Sequence, residues 1–237
     1  MRTAVALLIA LAAPVMLAAT TPTPPAAPAT AGTTPLDAYL DNLKTLRATF
    51  MQTLADAHGH EIDRASGTLI VVRPGKFAWD IHPLVPAGGS AGTNAVKAPP
   101  ATDSQGQLMV CDGINLWFYD RDLQQVTVKP VDSALSATPA MLLSGAADVR
   151  AHFKISAGGQ RMGLDWVLVE PHGSEADFNR ALLGFAGGEL KRMILEDKLD
   201  QTATVIFDKI ERNLAVATAE VSFTPPAGAD VIGTPRK

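Results

Sequence analysis

The apolar positions begin on a helical period and then change it. Leu36, Tyr39, Leu40, Leu43 and Leu46 recur at the 3.6-residue spacing of one helix face. Thr34 as N-cap, Pro35 at the first helical position and Asp37 two residues on announce the start of that helix. After Thr45 the period falls to two, Thr49, Met51 and Thr53 alternating with Phe50, Gln52 and Leu54, so a strand is predicted to take over. Further strands are predicted at 67–73, 76–81, 107–111, 115–119, 123–129, 152–156, 164–170, 178–185, 189–196, 201–210 and 219–223. They are joined by the turn signals Arg73-Pro74-Gly75, Asp112-Gly113, Gly158-Gly159 and Gly187-Gly188. Short strands with tight turns mean an antiparallel meander. One short helix interrupts it, with Thr138 as N-cap, Pro139 first and Gly145 as the stop, and residues 132–137 form a preceding helical turn.

Half-solvated strands should alternate apolar and polar. Leu69-Ile70-Val71-Val72, Leu116-Trp117-Phe118-Tyr119 and Trp166-Val167-Leu168-Val169 are apolar on both faces. A sheet carrying them must be covered on both sides, or curl around something apolar. Two short helices are little cover for so broad a sheet, which leaves room for an apolar ligand. An ordinary two-layer core accounts for the same runs, and the pattern alone does not separate the two readings. The expected class is mainly β with some α: an incomplete antiparallel β-barrel, or half-barrel, closed by a lid of short helices over a hydrophobic cavity.

Composition narrows the partners. The 237 residues carry a net charge of −4 and no basic stripe, so nucleic acid is not expected. Arg2, the uncharged apolar stretch 4–17 and the small residues Ala18 and Ala19 read as an export signal over 1–19. Residues 20–34 are a Pro/Ala/Thr leader, and 35–237 one domain with an inserted loop at about 83–107. Cys111 is the sole cysteine, which rules out an internal disulfide. It does not lie near the end of the signal, so lipidation there is not expected.

Candidate chemistry is thin. His58-x-His60 flanks Gly59 between strands and reads as a hairpin turn rather than half a metal site. Ser144-Gly145 lacks the context of a nucleophile elbow, and there is no phosphate loop. Cys111 has no activating neighbour in sequence and reads as a small buried hydrophobe. Neither an enzyme nor a cofactor or metal is expected. Apolar side chains are therefore the candidate site: Phe50, Leu69, Val71, Phe77, Trp79, Trp117, Tyr119, Met141, Leu142 and Leu143.

Six motifs in order carry a resemblance. They are LKTLRATFMQ from Leu43, GTLIVVRPGKFAWD from Gly67, VCDGINLWFYDRDLQQVTVK from Val110, TPAMLLSG from Thr138, Asn213 with Leu214, and FTPPAGADVI from Phe223. Together with the export signal they resemble the LolA family, the periplasmic outer-membrane lipoprotein carriers. Cys111 stands where serine is usual in that family, and the 83–107 insertion lengthens a loop that is short in it. The resemblance implies a periplasmic monomer that takes triacylated lipoproteins from an inner-membrane ABC transporter like LolCDE and delivers them to an outer-membrane receptor like LolB. It also implies that Arg73 latches the lid through main-chain oxygens of Met141–Ser144. The alternative is a periplasmic lipid- or glycolipid-binding, or stress-sensing, module on the same half-barrel.

Overall fold

The computed structural model describes residues 34–84, 105–134, 138–145, 149–173 and 176–237. The export signal, all but the last residue of the leader and most of the insertion lie outside them. Helix α1 spans Pro35–Asp41. Strands β1 (Thr45–Ala55), β2 (Glu61–Val72), β3 (Lys76–Pro83), β4 (Gln107–Asp112), β5 (Asn115–Asp120) and β6 (Gln125–Pro130) follow. Helix α2 is Pro139–Ser144. Then come β7 (Phe153–Arg161), β8 (Leu164–Pro171), β9 (Phe178–Ala186), β10 (Glu189–Asp197), β11 (Thr202–Arg212) and the short β12 (Asp230–Ile232).

Among the described residues the strands form one open sheet in the order β12-β6-β5-β4-β3-β2-β1-β11-β10-β9-β8-β7. Two meanders, β1–β6 and β7–β11, are zipped together where β1 pairs with β11. Every pairing is antiparallel except β12 on β6. The expected half-barrel architecture is therefore found.

Register assigns the side chains to faces, since successive residues of a strand point to opposite sides. Four rows cross the inner face of β1 to β6. Leu46, Val71, Phe77, Cys111, Leu116 and Lys129 form the first; Ala48, Leu69, Trp79, Met109, Phe118 and Thr127 the second. Phe50, Gly67, Ile81 and Gln107 lead the third, and Gln52 with Ala65 the fourth. Gly67 is a glycine for a reason of space: a Cβ there would overlap the Asp80 carbonyl of β3 and the Phe50 ring.

The doubly apolar runs of β2 and β5 are explained by cover on both sides, while on β8 the ring of Trp166 is covered by the Arg161 guanidinium, 4.6 Å from its centroid. Inside, α1 lies over β8 and β9, and α2 over β2 and β3. Outside, Ile70, Ala78, Val110, Trp117, Val126 and Val128 are sealed by the C-terminal segment through Val216, Val221, Phe223 and Ala229. Residues 219–223, expected as a strand, instead begin in a 3₁₀ turn at Thr218–Val221 and lie on that outer face. Two other expectations shift. The first helix stops at Asp41, and Leu46 of its stripe belongs to β1. Gly158-Gly159 is a bulge within β7 rather than a turn, the turn falling at Met162-Gly163. The expected second-helix start and stop are met: the Thr138 hydroxyl accepts from Ala140 N, and Gly145 is left-handed at φ 63°.

Candidate functional site

The inner face holds an apolar hollow with two lobes. The larger, about 390 Å³, is lined by Met109, Leu116, Phe118, Thr127, Lys129, Thr138, Pro139, Asp177, Phe178 and Leu195. The smaller, about 160 Å³, adds Gln52, Trp79, Ile81, Gln107, Met193, Ala203 and Val205. Met109, Phe118, Thr138 and Leu195 line both, so the lobes adjoin. Residues of β5 and β6, near one end of the sheet order, meet residues of β9 and β10 from the other half across this space. The sheet wraps around it. Sites for small apolar ligands run to about 300–1,000 Å³, so the larger lobe is of ligand size.

The expected cavity residues divide three ways. Trp79 lines the hollow. Phe50, Leu69, Val71, Phe77, Met141, Leu142 and Leu143 share its inner cluster but are packed solid at 0–2% exposure, where α2 presses on the first rows. Trp117 and Tyr119 are on the wrong face. Both point outward against Phe223, with ring centroids at 5.6 and 5.8 Å. The physical reason is one residue of phase, because Leu116 and Phe118 are the inward pair of β5. Sequence reading missed Met109, Phe118, Phe178 and Leu195. Pairing Phe118 with Met109, two residues before the inward Cys111, is the signal that would have found it.

Arg73 sits between the C-terminal ends of the two helices. Its guanidinium donates to Leu40 O, and to Leu43 O at 3.4 Å. It lies so close against Gly145, just past α2, that a Cβ there would overlap it. The expected bonds to Met141–Ser144 oxygens are not the ones formed. Ser144 O accepts instead from Gly75 N–H at 2.8 Å. A helix end exposes unpaired carbonyls and a partial negative charge, so a cation with several donors is well matched to it.

Other candidates resolve into structure. Asp56 accepts from the main chain of His58 and His60 at 2.8 and 2.9 Å, closing the expected hairpin turn with both rings exposed. Cys111 is buried, and its thiol donates to Gly75 O at 3.0 Å. Burial foremost pushes that thiol's pKa up to about 11. Among the described residues no group of three His, Cys, Asp or Glu is placed to hold a metal ion, and no helix is long and apolar enough to cross a membrane.

The sequence matches the family model described as outer membrane lipoprotein carrier protein LolA over residues 41–84 and 100–224. It is 40% identical over 195 residues to the outer-membrane lipoprotein carrier protein of Dechloromonas aromatica, spanning 82% of this chain and 84% of that one. The protein of the same description from Methylobacillus flagellatus is 34% identical over 203 residues, 85% and 89% of the two chains. Among solved structures, a LolA superfamily protein from Nitrosomonas europaea aligns with a TM-score of 0.43 at 10% identity, covering 80% of this chain and 94% of that one.

Proposed function

The chain belongs to the LolA family of outer membrane lipoprotein carrier proteins, and from that premise we propose that it binds the acyl chains of lipoproteins released from the inner membrane and hands them to a receptor at the outer membrane. The observation that carries this reading is the apolar hollow between the wrapped sheet and α2, with Trp79, Met109, Phe118, Phe178 and Leu195 on its walls. The cargo is a triacylated N-terminus. The carrier works in the periplasm, is loaded by an ABC transporter complex like LolCDE and is unloaded by a receptor like LolB. No step of it is enzymatic.

Magnitudes favour a hollow that is partly shut when empty. At about 0.8 kcal/mol per buried CH₂, one chain of about 16 carbons contributes roughly 12 kcal/mol and three about 36. Non-covalent affinity saturates near −18 to −21 kcal/mol, so snug burial of all three chains would forbid release. The described hollow is too small for that, and the solid packing of Met141, Leu142 and Leu143 on Leu69, Val71 and Phe77 has to open for more lipid to enter. Arg73, holding the end of α1 and wedged against Gly145, opposes that opening. The cost of breaking its bonds lowers net affinity and makes handover possible.

The test is release of newly made lipoproteins from inner-membrane spheroplasts by the purified protein. Soluble complexes in which mass spectrometry finds acylated polypeptide support the reading. Lipoproteins that stay in the membrane at every carrier concentration overturn it.

A further inference from the structure

The chain has three tryptophans. Trp117 Nε1 donates to Asp112 Oδ2 at 2.7 Å, and Trp166 Nε1 to Arg161 O at 3.1 Å. Among the described residues, Trp79 Nε1 is buried with no hydrogen-bond partner. A buried indole N–H normally finds an acceptor, and leaving one unmet is costly. The unmet donor belongs to the tryptophan that lines the hollow. Its ring is held edge-on to Phe50, with centroids 5.9 Å apart and planes at 81°. It is therefore a fixed donor rather than one free to turn away.

The surroundings of this donor are mixed in polarity. The smaller lobe is apolar at Ile81, Met109, Phe118 and Leu195, and polar at Gln52, Gln107 and Thr138. Both glutamines lie on rows of the sheet beyond that of Trp79. Methylene chains need only burial. The atom of a lipid tail that needs a hydrogen bond is the carbonyl oxygen joining the chain to its head, and it lies at one end of the apolar segment. A mainly apolar lobe that also holds a buried unmet donor and two side-chain amides suits a ligand of that kind.

We propose that Trp79 Nε1–H, in a lobe shared with the side-chain amides of Gln52 and Gln107, is a subsite for the ester or amide carbonyl of a bound fatty acyl group. The inference rests on the hollow being the lipid site and adds what fixes the depth and direction of a chain within it. The indole nitrogen is out of contact with water in the closed state, so the bond forms as lipid widens the lobe. The subsite distinguishes acyl lipids from alkyl ethers of equal length, whose methylene offers no acceptor.

The experiment compares 1-myristoyl-lysophosphatidylcholine with its 1-O-tetradecyl ether analogue, on the wild-type chain and on Trp79→Phe, which keeps a ring and removes the donor. A net hydrogen bond corresponds to roughly a three- to ten-fold preference for the acyl form in the wild type. That preference, read as the ratio of the two affinities so that apolar contact common to both lipids cancels, should vanish in Trp79→Phe. In wild-type protein labelled with ¹⁵N-indole, the Trp79 resonance should move downfield with the acyl lipid and not with the ether, a readout independent of how well the variant folds. Equal affinity for both lipids, a preference that survives Trp79→Phe, or an indole resonance indifferent to the carbonyl overturns the subsite and leaves the carrier reading standing. Binding of neither lipid overturns both.

Discussion

Trp117 and Phe118 are adjacent in sequence and point to opposite sides of one strand, so substituting them separates stability from binding. Trp117 is packed under Phe223 and hydrogen-bonded to Asp112. Its change to alanine should cost about 3–5 kcal/mol and leave affinity for an apolar probe within two-fold. Phe118 is only partly buried and lines both lobes. Phe118→Ala should cost about 1 kcal/mol of stability and weaken probe binding several-fold. Thermal unfolding and a fluorescence titration with a fatty-acid probe decide between them; equal effects at both positions would contradict the assignment of faces. Cys111 supplies a pH prediction. Its folded-state pKa is raised from 9.0 to about 11, so the thiol stays protonated in the native protein while the unfolded chain already ionises. Stability should therefore be intact below pH 9 and decline as pH climbs from 9 toward 11. Alkylation by iodoacetamide at pH 8 should be negligible in native protein and rapid in denaturant; fast native labelling would refute the burial argument.

At the scale of elements, Arg73 bonds the end of α1 and abuts Gly145 at the end of α2, and two substitutions probe that junction. Arg73→Leu removes the donors to Leu40 O and Leu43 O. It should leave lipoprotein binding intact or tighter and reduce transfer to the receptor at least several-fold. Normal transfer by that variant would remove Arg73 from the release step. Gly145→Ala attacks the same junction from the other side, placing a methyl group in the guanidinium and a non-glycine residue at φ 63°. The left-handed conformation alone costs about 1–2 kcal/mol. The variant should unfold several degrees lower and share the transfer defect; an unchanged melting temperature would mean that Arg73 moves aside freely. These elements also show what a sequence can tell. Thr138-Pro139 and Gly145 gave both ends of α2, because capping residues satisfy local backbone groups and act at short range. The end of α1 was less legible, since Leu46 fits a helix stripe and a strand equally well, and the pairing of β1 with β11 decides the matter. Gly158-Gly159 looked like a turn because glycine marks bulges and turns alike. Trp117 and Tyr119 were misplaced because a strand's period gives two faces without saying which is inner. Only the C-terminal segment, far away in sequence, settles that.

At the scale of the molecule, that segment completes the fold. β12 pairs with the edge of β6, Arg236 exchanges main-chain bonds with the Asn115 side chain at 2.8 and 2.9 Å, and Arg47 pairs with Glu220. Removing residues 217–237 should leave the inner hollow in place and bare the outer faces of Trp117 and Val128. The truncated chain should bind a fatty-acid probe yet self-associate in sedimentation; a monodisperse truncated protein would show that the outer cover is dispensable. The placement of that cover also bears on the order in which the protein can mature. A chain delivered N-terminus first makes β2 to β6 early, yet β11, which zips the two meanders, and the residues that shield β5 arrive only at its tail. Until synthesis is nearly finished, the first meander is greasy on both sides and has no seam to close. The half-made polypeptide is thus itself in need of protection from water, before it can protect anything else.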